Sequence, residues 1–258
     1  MYSLRLKCAT AEIEALSFEL WEAGTAGIRE LEDGLIAGFA TNEQRAGLLK
    51  RFSELDAHWY QEDSTDWVAV TQRAWPARLI GERIFLAPPW CTDPTPIGRV
   101  RVTHNPGLAC GTGEHPCTQL ALAALEAADL QGKTVVDVGT GSGLLAIAAL
   151  RLGARFAIGV DIDEAALSAA RENVELNDLP ALLAAGSADC LRGGCAAVAV
   201  ANISGTVLLS IADELLRISS RLILTGFQQY ELSAIQQTFG PGAVTSCGEW
   251  CCLSVQPS

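Results

Sequence analysis

Seven residues, Asp137-Val-Gly-Thr-Gly-Ser-Gly143, set three glycines at alternate positions directly after the apolar run Thr134 to Val138. Glycine lets a ligand come against bare backbone, and a strand-to-helix turn of this kind is where open α/β sheets hold nucleotide-like ligands. Gly141-Ser-Gly143-Leu-Leu-Ala146 also fits the G-x-G-x-x-A fingerprint of dinucleotide binding, so the motif alone leaves the ligand open. A second group stands at Asp161, eighteen residues after Gly143 at the end of the next apolar run, where an acid can accept hydrogen bonds from two ribose hydroxyls. Asp163 is the expected N-cap of the following helix, which leaves Asp161 for the ligand.

Charge separates the candidate ligands. A pyrophosphate seeks bare amides and positive residues, yet no Lys or Arg occurs between 134 and 150, and the turn faces Asp137, Asp161 and Asp163. A cationic ligand without phosphate suits this setting. S-adenosylmethionine, with its sulfonium and ammonium, is favoured over NAD, with Asp137, Gly139, Gly141, Gly143 and Asp161 expected around it.

Asn202 ends the run Ala196 to Ala201 and begins Asn-Ile-Ser-Gly205 at the same carboxyl edge of the sheet. It has two readings. It either caps the next helix or lends its carbonyl oxygen to an incoming amine, aiming the nitrogen lone pair. Upstream, Gly107-Leu-Ala-Cys-Gly-Thr-Gly-Glu-His-Pro-Cys-Thr118 is rich in glycine and small polar residues and reads as a substrate or cofactor loop, with Gly111, Thr112, Gly113 and His115 as candidates. Glu114 and His115 are either an acid and base pair or a solvated loop pair. His58 and His104 are read as structural.

These residues need a scaffold. From Lys133 onward apolar runs alternate with helical patterns, which implies parallel βαβ units and a seven-stranded doubly wound sheet of Rossmann-like type. The first part differs. Tyr2 to Cys8 alternates as a strand, Ile13, Leu16 and Leu20 recur at helical spacing before Gly24, and Asp33-Gly34 marks a hairpin. Thr41 with Gln44 suggests a capping box, Leu48 to Leu55 a second helix, and Ala57 to Gln61 a strand. The order β-α-β-β-α-β is that of a small ferredoxin-like α+β domain over residues 1–62, followed by a linker at 63–76 and the large domain at 77–258.

The nine cysteines form no Cys-x-x-Cys pair, so reduced core thiols and no metal site are expected. A net charge of −12 argues against a direct nucleic-acid site, because such binding relies on Lys and Arg, and favours a basic protein partner. The N-terminus lacks the apolar core of a signal peptide, and no stretch nears the roughly 20 apolar residues of a membrane helix. A cytosolic protein with no membrane partner is expected.

Several ordered motifs give the chain a further identity: Gly-Glu-Arg-Ile-Phe-Leu-Ala-Pro-Pro-Trp at 81–90, Gly-Thr-Gly-Glu-His-Pro at 111–116, Asp-Val-Gly-Thr-Gly-Ser-Gly-Leu-Leu-Ala-Ile-Ala-Ala-Leu at 137–150, Asp-Ile-Asp at 161–163, and Asn202-Ile. Over nearly its whole length the chain resembles the ribosomal protein L11 methyltransferase family. The resemblance implies a ferredoxin-like domain that recognises the ribosomal protein and a methyltransferase domain that modifies lysine side chains and an α-amino group of L11, free or on the large subunit. It also implies cofactor contacts at Thr118, Gly139, Asp161 and Asn202, with Asn202 facing the target amine. The chain departs from the family pattern at Cys110, Cys117 and Ser204-Gly205; the cofactor contacts survive these changes, while Cys110 and Ser204-Gly205 bear on the substrate side. Two other functions fit the same residues: an N-methyltransferase of this fold acting on another protein or a small amine, and a ribosomal-protein-binding protein without turnover.

Overall fold

The computed structural model describes residues 2–9, 12–31, 33–61, 75–105 and 113–256. It divides into two compact units, Met1–Thr71 and Gln72–Ser258, and most of the segment read as a linker, 63–74, lies outside the described residues.

In the first unit β1 (Tyr2–Lys7), α1 (Ile13–Glu22), β2 (Gly27–Leu31), β3 (Gly34–Phe39), α2 (Arg45–Arg51) and β4 (His58–Gln61) follow one another. The sheet order is β2-β3-β1-β4 with every pair antiparallel, the ferredoxin-like arrangement. Leu4, Leu6, Leu35, Ala37 and Phe39 alternate onto one sheet face and meet Ile13, Leu16 and Leu20 of α1. Gly34 makes the hairpin possible: its φ is +148°, and a Cβ there would run into the Leu6 carbonyl of β1. One helix start differs from expectation. The Thr41 hydroxyl donates to the Gln44 side-chain oxygen at 3.3 Å instead of accepting its backbone N–H, so no capping box forms and α2 starts at Arg45. Leu55, expected on that helix, lies in the turn after it.

The second unit opens with a three-stranded sheet, β5 (Arg78–Ile80), β6 (Ile84–Ala87) and β7 (Val100–Thr103), in which β5 and β6 are antiparallel and β6 and β7 parallel. Arg99 fixes its hairpin by donating to the carbonyls of Ile80, Gly81 and Ile84. There follow α3 (Pro116–Ala127), β8 (Thr134–Val138), α4 (Leu144–Arg151), β9 (Phe156–Asp161), α5 (Glu164–Leu176), β10 (Leu182–Ala185) and β11 (Val198–Asn202). The chain then forms α6 (Gly205–Ser210), α7 (Ala212–Ile218), β12 (Leu222–Gln228), α8 (Leu232–Phe239), β13 (Ala243–Cys247) and β14 (Trp250–Val255).

The large sheet has the order β10-β9-β8-β11-β12-β14-β13. Its first five strands are parallel, and β14 enters antiparallel between β12 and β13. Alternation along the strands feeds two apolar layers. Val135, Val198, Val200 and Ile223 face the layer of α3 and α4, while Val136, Val138, Ala199, Ala201 and Leu224 face that of α6, α7 and α8. Strand order reverses between β8 and β11, and a crevice opens at the carboxyl ends of strands at such a point. The helix expected as one piece from Gly205 breaks at Ile211 into α6 and α7.

Candidate active site

The turn after β8 is built around buried carboxyl chemistry. Asp137, 1% exposed, accepts from the Thr140 hydroxyl at 2.7 Å and from the Ala146 amide at 3.2 Å, both on Oδ2. Its other oxygen is buried and has no hydrogen-bond partner among the described residues. Burial, and secondarily the nearby Asp161, push the carboxyl up to about 7. Asp137 lines neither of the cavities described below, so it shapes the turn from beneath.

The amides of Gly139 and Thr140 both donate to the Val160 carbonyl of β9, at 2.9 and 3.0 Å. Gly139 has φ +72°, and a Cβ there would run into the Ile203 side chain. Gly143 is the N-cap of α4 with φ +81°, and its missing Cβ lets α5 approach, since that atom would lie 3.2 Å from Ala170. Asn173 of α5, buried, seals the junction by donating to the Ser142 carbonyl at 3.0 Å and accepting from the Asn105 amide at 2.7 Å. Asn177, one turn on, makes the matching pair with both backbone groups of Thr103.

At the end of β9, Asp161 and Asp163 take separate work. Asp163 caps α5 by accepting from the Ala165 amide at 2.9 Å. Asp161 accepts from the Gly141 amide at 2.8 Å on one oxygen and from the Asp163 amide at 3.0 Å on the other. A carboxylate carries about four acceptor positions, so two further donors can bind it.

A cavity of about 760 Å³ opens beside this turn, within the usual range for small-molecule sites. Gly139, Gly141 and Asp161 line it with Ile162, Glu172, Ser187 and Ile203. Its lining holds three carboxylates, Asp161, Asp163 and Glu172, and no Lys or Arg among the described residues. A smaller pocket adjoins it between Thr118, Gly139, Leu144 and Asn202, so Asn202 borders both. The Asn202 amide nitrogen donates to the buried Thr118 hydroxyl at 3.2 Å across 84 positions of sequence. Its carbonyl oxygen has no partner among the described residues and is the acceptor the junction offers.

The loop before α3 is partly described. Gly111, Thr112 and Cys110 lie outside the described residues. Gly113 is buried with φ +81°, and a Cβ there would press on Leu86. Glu114 and His115 diverge: Glu114 pairs with Arg78, whereas His115 caps α3, accepting from the Cys117 amide at 3.3 Å, with its ring 4.6 Å from that of Trp250. They form no acid and base pair. His58 contacts Asp56 in the first unit, and His104 is buried.

Burial raises the thiols of Cys117 and Cys251 and pushes Cys252 up to about 12, so these are core groups rather than nucleophiles. No cluster of three or more potential metal ligands exists among the described residues. Of the Ser204-Gly205 pair, Gly205 has a packing role. A Cβ at 205 would run into the Glu231 carboxylate, which accepts from the Gln228 amide at 2.8 Å.

Sequence reasoning missed Ile162, Glu172, Ser187 and Ile203 at the cavity and Asn173 beneath the turn. Ile162 left a signal: a large apolar residue between two acids at a strand end has no core to enter, and it is 83% exposed on the cavity wall. The others lie on helix or loop positions that periodicity does not single out.

The family model described as ribosomal protein L11 methyltransferase (PrmA) matches residues 2–258. A curated protein of that name from Gloeobacter violaceus is 33% identical over 270 residues, covering 95% of this chain and 84% of its own. Another, from Mannheimia succiniciproducens, is 38% identical over 221 residues, covering 81% and 75%. A crystal structure described as ribosomal protein L11 methylase from Lactobacillus delbrueckii subsp. bulgaricus superposes with a TM-score of 0.64 at 28% identity, covering 71% of this chain and 98% of that one. The chain belongs to the ribosomal protein L11 methyltransferase family.

Proposed function

We propose that this chain transfers methyl groups from S-adenosylmethionine to amino groups of ribosomal protein L11, at lysine side chains and at the N-terminal amine. The observation that carries the reading is the junction at Asn202: an acid-lined cavity on one side, a small pocket on the other, and an amide oriented by Thr118 between them. Family membership supports the protein substrate and a cytosolic setting.

S-adenosylmethionine supplies a methyl group bonded to a cationic sulfur. The residues here hold and align it. Asp161 would accept from the ribose hydroxyls with its remaining acceptor positions, the side-chain-free backbone at Gly139 and Gly141 would lie against the ligand, and Thr118 would border its methionine side. The charge of Asp161, Asp163 and Glu172 favours a cation over a pyrophosphate. Asn202 accepts a hydrogen bond from the target amine, which points the nitrogen lone pair toward the methyl group. In-line transfer to nitrogen needs no acid for the departing sulfide, so alignment carries much of the acceleration. A lysine amine, near pKa 10.4 in water, gives up its proton to solvent before transfer.

Incubation of the protein with radiolabelled S-adenosylmethionine and unmethylated L11, wild type beside Asn202→Ala, tests the reading. Wild type is expected to label lysines or the N-terminal amine, and Asn202→Ala to turn over far more slowly, with a much smaller loss of cofactor affinity. Full turnover by Asn202→Ala would sink the role of Asn202. Labelling of some other amine in preference to L11 would sink the substrate.

A further inference from the structure

We infer that His115 is a positioning residue for the methyl acceptor, acting through the first turn of α3 on Thr118 and from there on the amide of Asn202. The inference rests on the proposed role of Asn202 and extends it to a residue that touches neither ligand.

The connection can be followed bond by bond. His115 has extended backbone, φ −63° and ψ 135°, as an N-cap does, and Pro116 follows at the first helical position. Its Nδ1 accepts from the Cys117 amide at 3.3 Å, and its carbonyl accepts from the Thr118 amide at 3.0 Å. Both amides belong to the helix's first turn, whose donors have no partner within the helix. The His115 backbone thus holds Thr118 directly, and the His115 ring acts on it through the turn, by way of the Cys117 amide. Its hydroxyl in turn accepts from Asn202 Nδ2 at 3.2 Å, which holds the Asn202 side chain at the junction with its carbonyl oxygen left for the cavities. A primary amide turned by 180° would present NH₂ to an incoming amine, a donor against a donor.

The His115 ring is itself restrained. Trp250, the first residue of β14, meets it edge-on at 4.6 Å. The buried Cys117 side chain lies beside Thr225 and the Gly226 backbone of β12. Gly226, at φ +96°, sits where a Cβ would run into the Ile203 backbone, so the same stretch of β12 also abuts the residue after Asn202. The first turn of α3 and the end of β11 are thereby seated against one strand. Glu114 is committed to Arg78, which leaves the cap to the His115 ring.

The test is a double-mutant cycle between His115 and Asn202, with His115→Asn as the conservative control because an Asn side chain can also accept from the Cys117 amide. For each variant the kcat for L11 methylation, the S-adenosylmethionine Kd and the thermal midpoint are measured. Loss of an N-cap bond predicts a kcat about fivefold to tenfold lower in His115→Ala, with the cofactor Kd within about twofold of wild type. His115→Asn should restore most of the rate. In the Asn202→Ala background, His115→Ala should cost nothing further. Unchanged kcat in His115→Ala, failure of His115→Asn to rescue, a parallel loss of cofactor affinity, or full additivity with Asn202→Ala would each overturn the inference. Full turnover by Asn202→Ala alone would instead remove the reading beneath it.

Discussion

At the scale of single residues, the site assigns neighbouring carboxylates to different tasks by their hydrogen bonds. Asp163 is spent on a helix, Asp161 holds the glycine turn with acceptor positions to spare, and Asp137 is enclosed. Asp161→Asn removes charge-assisted acceptors and is expected to weaken S-adenosylmethionine binding about tenfold to a hundredfold, read by calorimetry; an unchanged Kd would contradict the ribose assignment. Asp137 yields a pH prediction. Its folded value, about 7, stands above the ordinary 3.8, so the folded state binds the proton more tightly. Stability therefore falls as pH rises from about 4 to about 7 and levels off above that, with a slope of at most about 1.4 kcal/mol per pH unit. Denaturation midpoints for Asp137→Asn should lack this slope, and an identical slope would place its source elsewhere. The split between Asp161 and Asp163 was legible in the sequence because capping position is a local property. Asp137's withdrawal from the cavity was not, since it follows from how the turn closes over the carboxyl in three dimensions.

At the scale of elements, the turn works because backbone and side-chain space are both reserved. Gly139→Ala combines an unfavourable positive φ with a clash against Ile203. It should abolish detectable cofactor binding at concentrations that saturate wild type, while the far-ultraviolet circular dichroism stays native. Asp163→Ala removes the cap of α5 and should cost about 1 kcal/mol of stability, with a much smaller effect on affinity than Asp161→Asn. The strands of the large sheet were readable because both faces are covered, giving continuous apolar runs bounded by turns. The α2 start and the break at Ile211 were not. At Thr41 two side chains bond to each other instead of to the backbone, and near Ile211 apolar residues continue across the break without any glycine or proline to mark it.

At the scale of the molecule, the chain forms two compact units with separate cores. Among the described residues the acid-lined cavity is lined by the second, while the first carries Phe18 and Trp21 exposed on α1, at 68% and 55%. Residues 72–258 expressed alone should keep S-adenosylmethionine affinity and lose methylation of L11; equal turnover by the fragment would remove the first unit from substrate recognition. The measurement that reaches the central claim most directly is transfer of radiolabelled methyl groups to unmethylated L11, free and within the large subunit, with mass spectrometry of the product. Label on lysine side chains or the N-terminal amine, sharply reduced in Asn202→Ala, is the expected result. No label on L11 in either form, from protein that binds S-adenosylmethionine, would contradict it.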